Sequence, residues 1–188
     1  PHRAKVAERV LVPVGGASDE PGLPETSEEL IIATAEAALA GWLQADGYVS
    51  VTQGGSRRMP AIEFQVATED ELAWVLHNLE IALPGIPRRV REVKRADSSV
   101  SCRRVHLYGA ILHDFIDRWE LLARGVNIRV PARLWTASHD EIAAYLRSIF
   151  QADGYVTVRR DRGEESGRIG FAVIGERWTE DVKLLLNV

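Results

Sequence analysis

A chain of 188 residues that is 46% hydrophobic and 27% charged can bury one good core, or one core and part of a second, and it holds no apolar run near the roughly 18 residues that a membrane span needs. A single cysteine, Cys102, excludes an internal disulfide and a cysteine-rich zinc site, and fits a reducing cytoplasm. The net charge of −4 argues mildly against a nucleic-acid partner. The charge is unevenly spread, however. Seven basic side chains (Arg88, Arg89, Arg91, Lys94, Arg95, Arg103, Arg104) lie between residues 88 and 104 against two acids, Glu92 and Asp97. Attraction for phosphates follows the local field, although a solvated hairpin accounts for such a stripe equally well.

In chain order, residues 1–25 read as an irregular leader. Pro1 to Arg9 lack the apolar region and cleavage site of a secretory signal, and Gly15-Gly16 is not followed at once by the helix that a phosphate loop requires. A helix is expected from about 27 to 46. Thr26 with Glu29 reads as a capping box, Ile32, Leu39 and Leu43 recur at helical spacing, and Gly47 suits the left-handed position that closes a helix. Tyr48 to Thr52 then alternates as a strand, a turn follows at Gly54-Gly55-Ser56, and a second strand covers 61–66. Thr68 and Glu71 box a further helix. Pro84 and Pro87 break the chain before two basic strands, about 89–96 and 102–108, and a helix at about 110–124. The order is αββαββα.

A second series starts at another capping box, Ser138 with Glu141. Ile142, Leu146 and Ile149 mark a helix at about 139–153 that closes on Gly154. Strands are expected at 155–159 and 169–174 and a helix capped by Thr179. The hexapeptide QADGYV occurs at 44–49 and again at 151–156, an offset of 107, which marks an internal repeat. Thr68-Glu69-Asp70 recurs as Thr179-Glu180-Asp181 at an offset of 111, implying hairpins that differ by four residues. The fold class is therefore α+β, with a leader at 1–25, a first repeat at 26–136 and a second at 137–188. The 35 residues after Asp153 suffice for a hairpin and one helix, so the second repeat is expected to be incomplete.

Small residues stand four apart on each repeated helix, Gly41 with Ala45 and Ser148 with Ala152. They allow the two backbones to approach closely and would bring Asp46 and Asp153 to one end. A carboxylate in a last helical turn opposes the helix dipole by about 0.3–1 kcal/mol, and two such carboxylates repel. A hard divalent cation such as magnesium relieves both. One Asp-Gly is commonly a plain helix stop, but its recurrence in matching contexts favours a ligand. His2, His77, His113 and His139 show no ligand spacing, and Trp42, Trp74 and Trp119 read as packing residues.

Leu39-Ala40-Gly41-Trp42-Leu43-Gln44-Ala45-Asp46-Gly47 resembles the signature nonapeptide of the LAGLIDADG homing endonucleases, departing from it at Trp42, Leu43 and Gln44. Leu146 to Gly154 resembles a more diverged second copy. The resemblance implies αββαββα repeats that form a DNA-binding saddle, with the motif helices as the interface between repeats. It also implies site-specific double-strand cleavage of DNA, with Mg2+ or another divalent cation held by Asp46 and Asp153 beside Gly47 and Gly154. The partner would be double-stranded DNA, with no membrane, and the protein a monomer of two pseudo-symmetric repeats. Strand residues opposite the valine faces become the candidate DNA contacts: Ser50, Thr52, Arg57, Arg58, Glu63, Gln65, Thr157 and Arg159, with Arg91, Lys94, Arg95, Arg104 and His106 from the basic hairpin.

The helix after the first hairpin also resembles that of intein-embedded members. Pro1 is no splicing nucleophile and the chain ends Leu186-Asn187-Val188, so the splicing halves of such an intein are expected to be missing. A degenerate binding module of the same fold that no longer cleaves is the alternative. A paired-carboxylate hydrolase of another class lacks its Asp-Thr/Ser-Gly signature here.

Overall fold

The computed structural model describes residues 27–54, 57–94, 101–161, 164–173 and 175–187, with the backbone alone at 53–54, 57–58, 94, 101, 159–161 and 164–166. The leader at 1–25 and Arg95 lie outside the described residues. Helix α1 (Glu28–Asp46) starts on Ser27, whose hydroxyl accepts from the Leu30 amide at 3.2 Å. The cap is thus one residue later than the expected box, and Thr26 lies outside the described residues. From Ala35 to Gln44 every residue of α1 is buried, the mark of a helix enclosed on all sides rather than laid on a surface.

Strands β1 (Gly47–Gly54) and β2 (Arg57–Val66) form an antiparallel hairpin in which Val49 opposes Ile62. Helix α2 (Glu69–Ala82) carries the Thr68–Glu71 capping box. Strands β3 (Arg88–Lys94) and β4 (Ser101–Tyr108) follow, and β4 docks against β2 to give the sheet order β1-β2-β4-β3. Helix α3 (Leu112–Arg118) leads through two 3-10 turns, Gly125–Asn127 and Ala132–Thr136, to α4 (His139–Asp153). Strands β5 (Gly154–Asp161) and β6 (Glu164–Phe171) pair as a second, two-stranded sheet, and α5 (Glu176–Leu185) ends the described fold.

Four local expectations are corrected. Helix α3 stops at Arg118 because Trp119 and Leu121, both buried, would fall on opposite sides of a continuous helix at 100° per residue. The chain instead turns at Glu120, which has φ 52°. Strand β6 lies at 164–171 rather than 169–174, and α5 starts after Gly175 rather than Thr179, whose hydroxyl bonds the Gly175 carbonyl within the helix at 3.2 Å. Consequently β5, β6 and α5 each begin 107 residues after β1, β2 and α2. The spacing from hairpin start to the next helix is the same in both repeats, although β6 is two residues shorter than β2, and the Thr-Glu-Asp echo at 111 is no structural equivalence. Finally, Gly47 and Gly154 are extended, with φ −105° and −79°, rather than left-handed. Each helix passes straight into a strand, and glycine is needed for room: a Cβ at Gly47 would lie 2.5 Å from the Leu43 Cα.

The helices cover one face of the large sheet. Val49, Ile62, Phe64, Val105 and Leu107 point into a core closed by Leu39 and Leu43 of α1, Val75 and Leu79 of α2, and Phe115 and Ile116 of α3. Trp42 stacks at 5.2 Å on Trp74, and Trp119 is wholly buried. Helices α1 and α4 cross at Gly41, where a Cβ would meet the Tyr145 carbonyl oxygen at 2.5 Å and the Ser148 Cβ at 3.1 Å. Ser148 stands 107 positions after Gly41, so equivalent residues of the two repeats meet there. Ala45 and Ala152 pack on the core beyond the crossing.

Helix propensity alone would have Gly41→Ala stabilise the protein by about 1 kcal/mol. The backbone carbonyl in its path reverses that sign. Denaturant unfolding should show Gly41→Ala destabilised by about 1–3 kcal/mol, the usual range for overpacking; a gain would mean the helices are not in this contact.

Candidate nucleic-acid interface and metal site

Period-two alternation gives the sheet a helix-covered face and an open one, and the register assigns each candidate contact to a side. Tyr48, Glu63, His106 and Arg89 form one row across β1, β2, β4 and β3. Gln65, Arg104 and Arg91 form the next. Ser50 and Thr52 continue the open face toward the hairpin tip, where the Thr52 hydroxyl bonds the Met59 carbonyl at 3.3 Å. These rows lie opposite the buried Val49, Ile62, Phe64 and Val105.

The basic stripe divides by the same rule. Arg88 and Arg103 stand on the helix-side alternate and are tied to α2, Arg88 to Glu80 at 2.6 Å and Arg103 to Glu69. The Arg103 hydrogen bond holds the Glu69 carboxyl below its usual range. Lys94 pairs with Ser101 on the alternate of Arg88 and Val90, so the register separates it from Arg91. Of Arg57, Arg58, Lys94 and Arg159 only strand positions are described. Arg57 shares the alternate of Glu63 and Gln65, and Arg58 the other. In the second hairpin Thr157 is exposed, opposite Arg168.

Asp46 is exposed at the end of α1. It lines a cleft of about 410 Å³ with Gly47, Tyr48, Glu63, Gln65 and Arg104. The structure therefore brings the first motif's carboxylate together with three of the candidate strand contacts. Arg104 pairs with Glu63 at 3.2 Å, and its Nε is buried without a hydrogen-bond partner among the described residues. Asp153, half-buried, ends α4 in the same relation to β5 as Asp46 has to β1.

Polar groups fix the end of α1. Arg124 donates to the Leu43 carbonyl at 3.3 Å, opposing the negative helix end, while burial lowers its own guanidinium pKa. The Trp42 indole donates to the Gln65 carbonyl at 3.2 Å and joins α1 to β2. Arg129 makes two bonds to Asp181 of α5, at 2.5 and 2.8 Å, and the Val130 amide adds a third at 3.2 Å.

A family model described as a LAGLIDADG-like domain matches residues 140–188, the second repeat. Because β1, β2 and α2 precede β5, β6 and α5 by a constant 107 residues, the same order of elements occurs twice. Among solved structures, the homing endonuclease I-DmoI in complex with DNA and Mn matches with a TM-score of 0.52 at 13% identity over 83% of this chain and 77% of that one. The chain is a LAGLIDADG-fold protein. An I-DmoI variant with its target DNA and 2 mM Mg matches at a TM-score of 0.54 and 13% identity over 84% of this chain and 78% of that one. I-DmoI with DNA and Ca gives 0.52 and 15% over 83% and 72%.

Within this LAGLIDADG fold, sequence reasoning missed Tyr48 and Arg89 as open-face residues. Both were available from the alternation that placed Val49 and Val90 on the other side. Among the described residues, no three His, Cys, Asp or Glu side chains are grouped as a ready-made metal site.

The Arg129 hydrogen bonds depress the Asp181 carboxyl below its usual value. A depressed carboxyl stabilises the fold fully above the unfolded pKa of about 3.9 and loses that contribution as pH falls through the folded value. Asp181→Asn should lower Tm at pH 7 by several degrees, and the difference from the parent should shrink as pH drops below about 4. Thermal melts across pH 2–7 would show this; a constant difference would remove Asp181 from the acid response.

Proposed function

We propose that this chain is a DNA-cleaving module of the homing-endonuclease type, hydrolysing phosphodiester bonds in double-stranded DNA at a defined site. The observation that carries the reading is the cleft in which Asp46 meets Glu63, Gln65 and Arg104 at the border of a polar open sheet face. Its donors are carboxylate and carboxamide oxygens, the set that a hard cation such as Mg2+ takes. With no larger carboxylate cluster among the described residues, a bound ion would complete its shell with water and phosphate oxygens, as magnesium commonly does. When bound, the ion supplies charge stabilisation and an activated water for in-line attack.

The protein's part is positional. Asp46, and Asp153 in the second repeat, would hold the ion at the helix ends. Arg89, Arg91 and Arg104 draw the phosphate backbone across the open face, while Ser50, Gln65 and His106 offer hydrogen bonds to groove edges. The I-DmoI structures were determined with DNA and with Mn, Mg or Ca, which supports extending a divalent cation and a duplex partner to this chain.

One observation favours a binding module that has lost cleavage: in the cleft beside Asp46 the Glu63 carboxylate is already paired with Arg104 at 3.2 Å.

Cleavage of a library of duplex sites in Mg2+ separates the two. The cleaving module cuts a subset, and Asp46→Asn or Asp153→Asn abolishes cutting while leaving binding in Ca2+ within a few-fold. Binding should weaken with salt at a slope of roughly 0.9 per phosphate neutralised, and reversing Arg89, Arg91 and Arg104 together should flatten that slope. Binding without cutting selects the degenerate module, and salt-independent association sinks both readings.

A further inference from the structure

Buried polar groups of α4 and of the segment that leads into it hold the last turn of α1, and the proposed cleavage chemistry does not use them. Gln44, two residues before Asp46, is buried between the motif helices. Its carboxamide oxygen accepts from the Tyr145 hydroxyl of α4, and its amide nitrogen donates to the Arg129 carbonyl at 3.1 Å. Both partners are themselves fixed by α5: the Tyr145 hydroxyl accepts from the Trp178 indole at 3.2 Å, and Asp181 clamps Arg129. Tyr145 is wholly buried, and burial pushes its hydroxyl far above the usual tyrosine range, so it stays a neutral donor.

A carboxamide in an apolar interface adds little net stability, since an apolar side chain of similar shape would leave nothing to satisfy. What it adds is direction. Donor and acceptor each have one fixed partner, so α1 cannot rotate or slide at this level without breaking both bonds. At 100° and 1.5 Å per residue, any such slip is passed on to Asp46, and a ligand must be held to about 0.5 Å to be useful. The second motif differs: Gln151, the counterpart of Gln44, has its amide nitrogen buried with no hydrogen-bond partner among the described residues.

We infer that Gln44 and Tyr145 are positioning residues that fix the rotation and height of the first motif helix and thereby hold Asp46 in its cleft. The inference deepens the reading of Asp46 as a metal ligand and rests on it for its consequence in ion binding.

The test compares Tyr145→Phe and Gln44→Leu with the parent and with Asp46→Asn. Amide hydrogen exchange reads the ends of both motif helices, and Mn2+ titration followed by electron paramagnetic resonance reads the ion. In Tyr145→Phe, exchange over residues 43–48 should rise at least tenfold more than over 150–155, and the Asp46-dependent Mn2+ affinity should fall at least fivefold. Gln44→Leu should do the same. A merely structural role predicts faster exchange throughout the molecule, with Mn2+ affinity per folded molecule unchanged, and that result overturns the inference. If Mn2+ binding in the parent ignores Asp46→Asn, the ligand reading fails, and the exchange pattern alone then decides the positioning role. Should Gln44→Leu not fold, Tyr145→Phe, which removes a single oxygen, carries the test.

Discussion

The close approach of α1 and α4 at Gly41 is the constraint on which the rest of the molecule depends. With hydrogen in place of a side chain at Gly41, a backbone carbonyl of α4 comes within a methyl's reach of α1. Polar groups flank the crossing on either side, and one of the two clusters reaches α4 through Arg133, which donates to Glu141 at 3.3 Å. On one side Gln44 reaches Tyr145. On the other, buried Glu36 accepts from Arg118 at 2.8 and 3.0 Å, from the Trp119 indole at 3.0 Å and from Arg133 at 3.4 Å, while Arg133 also lies 4.3 Å above the Trp119 ring. A buried carboxylate is tolerable only when so paired. The helix contact and its flanking polar clusters are therefore one arrangement, in which loss of the close approach would strand charges as well as open a gap.

The same two-sidedness organises the sheet. A chain of net negative charge can present a basic surface because strand parity sorts its arginines. Arg88 and Arg103 face α2 and are absorbed by Glu80 and Glu69, and Arg89, Arg91 and Arg104 remain on the open side. The helix layer thus neutralises Arg88 and Arg103, while on the open face Glu63 pairs with Arg104 at 3.2 Å and Arg89 and Arg91 stand beside that pair. Net charge read over the whole chain misses this, because the relevant field is that of one surface.

Much of this was legible in the sequence where a local rule governs. The capping boxes at Thr68 and Ser138, the valine alternation of β1 and the repeated QADGYV each correspond to a single local geometry. Errors arose where tertiary packing chose between local options. The Thr-Glu-Asp echo matched composition but not position, because Trp178 and Asp181 take buried places on α5 that have no analogue in the echo. The length of α3 was decided by the burial of Trp119 and Leu121 on opposite sides. Lys94 was grouped with Arg91 by charge, although an odd separation along a strand puts residues on opposite alternates. The cleft around Asp46 was only half legible: the aspartate was marked by repetition, but its neighbours Glu63, Gln65 and Arg104 come from strands whose register is set by pairing across the sheet.

The three positions at which the first motif departs from the family nonapeptide, Trp42, Leu43 and Gln44, are those through which this chain ties the end of α1 to its surroundings. Trp42 stacks on Trp74 and bonds the Gln65 carbonyl, which links the helix to the strand that lines the cleft. The Leu43 carbonyl receives Arg124, and Gln44 reaches into the other repeat. Ala45, Asp46 and Gly47, which match the nonapeptide that this motif resembles, are the small spacer, the carboxylate and the residue whose missing side chain lets the strand begin at once. Substitution at the three departing positions thus changes what the helix end is fastened to while leaving unchanged what it presents to the cleft. Fastening can be done by any well-satisfied contact, whereas the direct passage from helix to strand needs a glycine, because a Cβ at Gly47 would lie 2.5 Å from the Leu43 Cα.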